Sequence, residues 1–292
     1  MPHPRYRDAA LYLKPEGSGA PKTSGCKYHM QYGGQVCILG FLKQTLFPEH
    51  DVSLLVVDSR MDENMKDTLR FYGISLVEIP PCNALEEPVA GHVDMQIIHI
   101  HDNVLVCHPG LPLTVFEKLK QHGFDIYAGN TVLKRDYPLD VAYNVAIVGR
   151  VAFHNTKYTD GVIVRLLSRF NIRLVHVNQG YSKCSVLPLS DKCIITDDPS
   201  IEKAAVQEGL EVLKIPPQKN IMLPGYNYGF IGGVAGFIGK NVLAFAGDID
   251  MLDSKDEIKD FLYKHNVEWV NLSNGKIHDY GSLIPLCEKS WN

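Results

Sequence analysis

The strongest constraint on this chain is a local pattern that recurs five times: a helix-like segment, then Gly or Asn, then an apolar strand. It reads F-Y-G-I-S-L-V-E-I at Gly73, Q-H-G-F-D-I-Y at Gly123, R-F-N-I-R-L-V-H-V at Asn171, E-G-L-E-V-L-K-I at Gly209 and K-H-N-V-E-W-V at Asn266. Gly and Asn tolerate the left-handed backbone that closes a helix. Each closure follows a segment with helical apolar spacing, such as V-F-E-K-L-K-Q-H or I-V-R-L-L-S-R-F. Ahead of the helices lie short apolar strands: Leu54 to Asp58, Asn103 to His108, Asn144 to Val148, Cys193 to Asp197 and Asn241 to Phe245. Most of these have a hairpin partner upstream, as in M-Q-I-I-H-I-H-D-N-V-L-V-C. The repeating unit is strand, strand, helix, strand, at intervals of roughly 40 to 60 residues, the range of repeat architectures. Repeats without linkers predict one closed α/β domain over residues 26–292, because a ring removes exposed sheet edges. Residues 1–25 are rich in Pro, Gly and Ser and are expected to be an irregular lead-in.

Composition narrows the partners. A net charge of -4 and a pI near 6.3 leave no basic surplus for a phosphate backbone, so nucleic acid is excluded as the main ligand. No run of about 18 apolar residues is present, so no membrane span is expected. The opening M-P-H-P-R-Y-R-D lacks the apolar core of a signal peptide. The seven cysteines are odd in number and scattered, several in strand-like runs (Cys37, Cys107, Cys193), with no C-x-x-C. That usage predicts a reduced, cytoplasmic protein with neither a disulfide framework nor a structural zinc.

The chemistry gathers around Gln179 to Asp198, Q-G-Y-S-K-C-S-V-L-P-L-S-D-K-C-I-I-T-D-D. Two apolar runs flank the turn at Ser190-Asp191 and read as a hairpin. Cys184 stands just before the first strand, after a small polar loop and beside Lys183. It is therefore expected to be exposed, partly ionised and nucleophilic, whereas Cys193 in mid-strand is expected to be inert. In a ring of repeats the starts of the inner strands converge on the axis. Those starts read Tyr32-Gly33-Gly34-Gln35, Gly91-His92-Val93-Asp94, Tyr143-Asn144, Lys183-Cys184 and Phe230-Ile231-Gly232-Gly233. They supply a thiol and an imidazole, the parts of a Cys–His nucleophilic site. His92 and Asp94 are two apart and would share one face of a strand.

A five-fold ring of ββαβ units, with H-x-D opening one and Cys opening the next but one, resembles the pentein fold. This five-bladed α/β propeller is the fold of the guanidino-group-modifying superfamily, which includes arginine deiminase, dimethylarginine dimethylaminohydrolase and the amidinotransferases. The segment from Gly91 to Gly110, G-H-V-D-M-Q-I-I-H-I-H-D-N-V-L-V-C-H-P-G, resembles the family's H-L-D strand, hairpin and H-P-G turn. The stretch from Asn144 through Cys184 resembles its last two units. The resemblance implies Cys184 as nucleophile, His92 as general acid and base, and Asp94 as a ligand for a cationic nitrogen. The sequence departs from the family where E-G-G-D is replaced by Y-G-G-Q, with Tyr32 and Gln35 at the carboxylate positions. It departs again at F-I-G-G-V-A, with Gly233 where a guanidinium-binding aspartate falls, and the order of units is rotated, the chain ending on one related to an early unit. Charge-assisted hydrogen bonds are worth about 1.5–3 kcal/mol each. A guanidinium would therefore be poorly held, and an amidine, amide or smaller imine-like carbon is the expected substrate rather than arginine. The implied reaction is thiol attack on an sp2 carbon bonded to nitrogen, with His92 serving first the leaving amine and then water or a second amine. Asn144, Tyr32 and Gln35 would line the pocket. No cofactor and no metal are implied; the partner is a small molecule, and a homodimer is compatible with the reading.

Three other signals carry less. His99 and His101 share a strand face, but the hairpin tip at Asp102-Asn103 explains that polarity without a metal. The glycines of G-F-I-G-G-V-A-G-F-I-G, Gly229 to Gly239, imitate a dinucleotide loop, yet a strand follows where a helix is required. Ser254 is a candidate N-cap for the charged last helix. The competing reading is a non-catalytic pentein, since the superfamily includes a ribosome anti-association factor that binds through its surface. A pocket holding Cys184, His92 and Asp94 within a few ångströms would favour the enzyme, and a filled axis a binder.

Overall fold

In the computed structural model, backbone is described for residues 29–32 and 35–291 and side chains for residues 40–289. The expected lead-in, residues 1–25, lies outside the described residues. The chain opens with the hairpin of β1 (His29–Tyr32) and β2 (Gln35–Phe41), followed by β3 (Val52–Asp58), α1 (Glu63–Phe71) and β4 (Ser75–Ile79). Next come β5 (Ile97–His101), β6 (Val104–Cys107), α2 (Leu113–Gln121) and β7 (Asp125–Ala128), then β8 (Ala146–Val148), β9 (Val151–His154), α3 (Gly161–Arg169) and β10 (Arg173–His176). The last two full repeats are β11 (Val186–Ser190), β12 (Cys193–Thr196), α4 (Pro199–Gln207), β13 (Glu211–Lys214), and β14 (Ala235–Gly239), β15 (Val242–Phe245), α5 (Lys255–Lys264), β16 (Glu268–Asn271). The chain ends on β17 (Ile284–Trp291).

Each of the four later blades is a three-stranded sheet with the inner strand antiparallel to the middle one and the middle one parallel to the outer. The helix makes the parallel crossover. All five helix closures sit in the left-handed region, with φ of +74° at Gly73, +90° at Gly123, +56° at Asn171, +81° at Gly209 and +53° at Asn266. Asp62, Asp160 and Asp198 cap the starts of α1, α3 and α4 through their carboxylates. Ser254 precedes α5 but does not cap it; its hydroxyl accepts from Gln218 Nε2 at 3.1 Å. The strand expected at Asn144 to Val148 is the inner strand of its blade; the middle one is β9, which the turn at Gly149 separates from it.

The first blade is assembled from both ends of the described chain. Its sheet runs β1-β2-β17-β3-β4, with β17 antiparallel to β3 and β3 parallel to β4. The strand in the inner position is therefore β17, not β2. The final strand thus belongs to the first blade.

Five apolar clusters lie between neighbouring blades. Val56 and Val77 pack with Ile97 and Leu105, Ile98 and Val106 with Ala152 and Leu166, and Phe153 with Val186 and Ile194. Leu187 and Ile195 pack with Phe237 and Phe245, and Ala244 and Leu272 with Leu55 and Leu69. The last of these joins the fifth blade to the first, so the ring closes. Each blade buries both faces of its sheet, which is why its middle strand is almost continuously apolar.

Candidate active site

The five inner strands are each preceded by a tight connection, and four of these connections supply polar side chains at one place. His92 precedes a 3-10 turn, Val93–Met95, rather than standing on a strand as expected. The turn still brings its residues together: a His92 nitrogen, an Asp94 oxygen and the Cys184 sulfur lie within 4.8 Å of one another. All three are buried, at 1%, 1% and 2% exposure. The Cys184 thiol donates to Asp94 Oδ2 at 3.3 Å and accepts from Asn144 Nδ2 at 3.1 Å. Asn144 also receives the backbone N–H of Lys183 at 2.8 Å and of Cys184 at 3.2 Å on its Oδ1, so one amide both shapes the cysteine loop and solvates the sulfur. The closely packed Gly232 donates its N–H to the Cys184 carbonyl at 2.7 Å; a Cβ there would run into the carbonyls of Val186, Lys183 and Cys184.

The expectation that Cys184 is exposed and partly ionised does not hold. Burial, with the carboxylates of Asp94 and Asp279 behind it, pushes the thiol well above its ordinary range, and Asn144 only partly opposes this. Lys183 does not offset the shift through contact with the sulfur. Its ammonium points the other way, donating to Ser282 Oγ at 2.7 Å and to the Gly232 carbonyl at 3.2 Å.

Two residues of the site escaped sequence reasoning. Asp279 and Ser282 come from D-Y-G-S, the connection before β17. Asp279 Oδ1 lies 3.8 Å from His92 Nδ1, and the Asp279 carbonyl oxygen is 3.2 Å from His92 Nε2, which places the Nε2 proton on that carbonyl. The Asp279 carboxylate accepts the N–H of Phe230 at 2.8 Å and of Gly281 at 3.0 Å. Burial raises its pKa, opposed first by His92 and then by those N–H bonds. Ser282 Oγ lies 3.0 Å from Asp94 Oδ2. A Cβ on Gly233 would overlap the Asp279 carboxylate. Gly233 thus binds nothing through a side chain; its missing Cβ is the space that a carboxylate from another blade fills. The available signal was D-Y-G-S standing directly before the final apolar strand.

Tyr32 and Gln35 lie opposite each other on β1 and β2, outboard of β17, and their side chains fall outside the described residues. They do not open the inner strand of their blade, which is the reason Asp279 and Ser282 stand at the axis instead. A small cavity of about 20 Å3, room for about one water, lies beside β5 and β8; Asp94 and Lys183 line it, and Cys184 and His92 do not. His99 borders it, but its Nε2 is bound to the Asp102 carbonyl at 2.7 Å. The donor atoms of His92, Asp94 and Cys184 are also spaced to clasp a small cation, a capacity that the sequence reading did not foresee. Cys82, Cys107, Cys184 and Cys193 are free thiols, and among the described residues no helix is long and apolar enough to cross a membrane.

Among solved structures the chain is similar to SxtG, an amidinotransferase of Microseira wollei in the saxitoxin biosynthetic pathway, at 10% identity and a TM-score of 0.52 over 81% of this chain and 95% of that one. It is also similar to a DDAH from Pseudomonas aeruginosa in complex with citrulline, at 9% identity and a TM-score of 0.49 over 76% and 92%. An agmatine deiminase from C. jejuni with substrate bound matches at 12% identity and a TM-score of 0.48 over 91% and 99%. The likeness to SxtG shows the fold, and that fold is the five-bladed pentein ring expected from the repeats. No curated protein matches the sequence. One family model does, over residues 56–284, which span all five helices and four of the five inner strands, and by that match the chain belongs to the family of unknown function DUF6873.

Proposed function

We propose that the protein is an enzyme that cleaves or transfers at a carbon–nitrogen bond of a small amidine, guanidine or amide-like molecule, through a covalent intermediate on Cys184. The observation that carries this reading is the convergence of Cys184, His92 and Asp94, from two blades 90 residues apart, into one buried cluster. A packed core has no need of three ionisable groups in contact, and leaving them there costs stability unless they serve a purpose.

In this scheme the Cys184 sulfur attacks the sp2 carbon, its proton passing to His92, a nitrogen of which lies within 4.8 Å of the sulfur. An S–C bond forms and the carbon's π pair moves to its heteroatom. Collapse of the intermediate expels the amine, which takes a proton from His92. Water or an acceptor amine, deprotonated by His92, then breaks the S–C bond and restores the thiol. Asp279 accepts from His92 Nε2 on its backbone carbonyl at 3.2 Å, which fixes the ring, and its carboxylate lies 3.8 Å from Nδ1. Asn144 supports the sulfur throughout. Asp94 is the carboxylate that the chain retains, and Asp279, lying against Gly233, supplies a second at the place where Gly233 has none.

The burial of Cys184 and its raised thiol pKa favour a second reading, a pentein that binds a ligand at this site without turning it over. Intact-mass analysis after incubation with 2-chloroacetamide and 2-chloroacetamidine separates the two. The enzyme reading predicts one adduct on Cys184, faster than on a free thiol and lost in Cys184→Ala. A folded protein whose Cys184 reacts with neither reagent refutes it.

A further inference from the structure

We propose that the buried cluster is also a site for one divalent transition-metal ion of the zinc class, held by Cys184 Sγ, His92 Nδ1 and Asp94 Oδ1, and that the ion reversibly masks the thiol. The ion site stands on its ligands alone; the masking rests on the reading of Cys184 as nucleophile.

The open atoms call for a cation. Two buried side-chain atoms of the cluster have no hydrogen-bond partner, Asp94 Oδ1 and His92 Nδ1. With the ring proton on Nε2 and given to the Asp279 carbonyl at 3.2 Å, Nδ1 carries a lone pair. Both orphans are therefore acceptors, and leaving them unsatisfied in a buried site is costly. The charges agree. Asp94 and Asp279 are opposed by Lys183 alone, with His92 neutral, so the cluster holds one negative charge while the thiol keeps its proton and two once the sulfur gives it up. A divalent ion brings that sum to zero. Binding is thus an exchange in which the S–H bond breaks, its proton leaves to solvent, and a sulfur–metal bond forms.

The distances suit a small ion. A His92 nitrogen, an Asp94 oxygen and the Cys184 sulfur lie within 4.8 Å of one another. Tetrahedral zinc, with bonds of about 2.0–2.3 Å, sets its ligands about 3.4–3.6 Å apart, so the widest pair has little more than about 1 Å to close. One thiolate and one imidazole among the three ligands select zinc or cobalt over magnesium or calcium, which take oxygen.

The surrounding contacts leave the ligating atoms free. The Asp279 carbonyl holds Nε2–H, which fixes the ring and keeps Nδ1 open. Ser282 Oγ, which takes a proton from Lys183, lies 3.0 Å from Asp94 Oδ2 and leaves Oδ1 open. Asn144 Nδ2 reaches the sulfur at 3.1 Å, a donor suited to a thiolate.

The test titrates chelator-treated protein with Co2+ alone, then with Zn2+. The expected result is one Co2+ per chain with a sulfur-to-cobalt charge-transfer band, displaced by equimolar Zn2+ and not by about a hundredfold excess of Mg2+ or Ca2+. Cys184→Ser should abolish the band, His92→Gln and Asp94→Asn should each weaken Co2+ binding by about tenfold or more, and Cys82→Ala should change neither. No band in the wild-type protein at saturating Co2+ overturns the site, as does a band retained in folded Cys184→Ser. If Cys184→Ser does not fold, protection decides: equimolar Zn2+ should slow 2-chloroacetamide alkylation of wild-type Cys184 by about tenfold or more, and EDTA should restore it. Alkylation of Cys184 at the same rate with and without Zn2+ overturns the metal site and leaves the nucleophile intact. A cobalt–sulfur band in a protein whose Cys184 never alkylates upholds the ion site and refutes the nucleophile, and the masking with it.

Discussion

Gly233→Ala probes how the site is assembled across blades. A Cβ there would overlap Asp279 Oδ1 and lie 2.5 Å from Cγ and 2.9 Å from Oδ2. The carboxylate cannot move without releasing the N–H groups of Phe230, partly buried, and Gly281, buried. A buried donor left unpaired costs about 1–3 kcal/mol, so two cost about 2–6 kcal/mol, and overpacking adds about 1–3 kcal/mol where it cannot relax. Gly233→Ala should therefore destabilise by about 3–9 kcal/mol in urea unfolding, with the slope unchanged. Asp279→Ala loses the same two bonds without the overlap and should cost about 2–6 kcal/mol. The double variant is the decisive sample. The new methyl then occupies the space of the absent carboxylate, so the double variant should be no less stable than Asp279→Ala, a coupling as large as the Gly233→Ala cost itself, about 3–9 kcal/mol. A Gly233→Ala protein within about 0.5 kcal/mol of wild type would refute the reasoning, as would additive costs in the double variant.

Further consequences follow from other parts of the ring. Asn144→Ala orphans the N–H of Cys184 and removes the one side-chain donor to the sulfur, while the Lys183 N–H keeps the backbone carbonyl of residue 144; it should cost about 1–3 kcal/mol and move the pH profile of Cys184 alkylation upward, as read by mass against pH. Burial holds His99 and His154 down at about 4, against 6.5 when unfolded. The unfolded chain takes up these protons first on acidification, so the stability they contribute is complete above pH 6.5 and is lost as pH falls toward 4. Each accounts for about 3 kcal/mol, and His154→Gln should flatten the fall in urea midpoint over that window. Removing β17 deletes the inner strand of the first blade and opens the ring, so a chain ending at Leu283 should lose its cooperative unfolding transition.

Much of this architecture was legible because its signals are local. A left-handed closure needs Gly or Asn at one position, and five of them set the count and spacing of blades before any contact is known. His92, Asp94, Asn144 and Cys184 were found because they stand next to strands that the same periodicity locates. What stayed hidden depends on ring closure. Nothing within D-Y-G-S says that its strand inserts between β2 and β3, more than 200 residues earlier in the chain, so Asp279 and Ser282 could not be assigned to the axis and Tyr32 and Gln35 were put there instead. The environment of Cys184 was misread for a related reason. A polar loop looks exposed along the sequence, but the Gly232 turn from the next blade lies against its carbonyls and covers it. Likewise Lys183 beside a cysteine suggested a thiol-activating charge, whereas its long stem carries the ammonium to Ser282.

The most direct measurement is peptide mapping of the adducts formed by substoichiometric 2-chloroacetamide at neutral pH, in wild-type, His92→Ala and Cys184→Ala proteins. The account predicts that the wild-type adduct falls on buried Cys184 in preference to the more accessible Cys82, and that it is lost in both variants. Alkylation confined to Cys82, or labelling of Cys184 that appears only on unfolding and ignores His92, would contradict it.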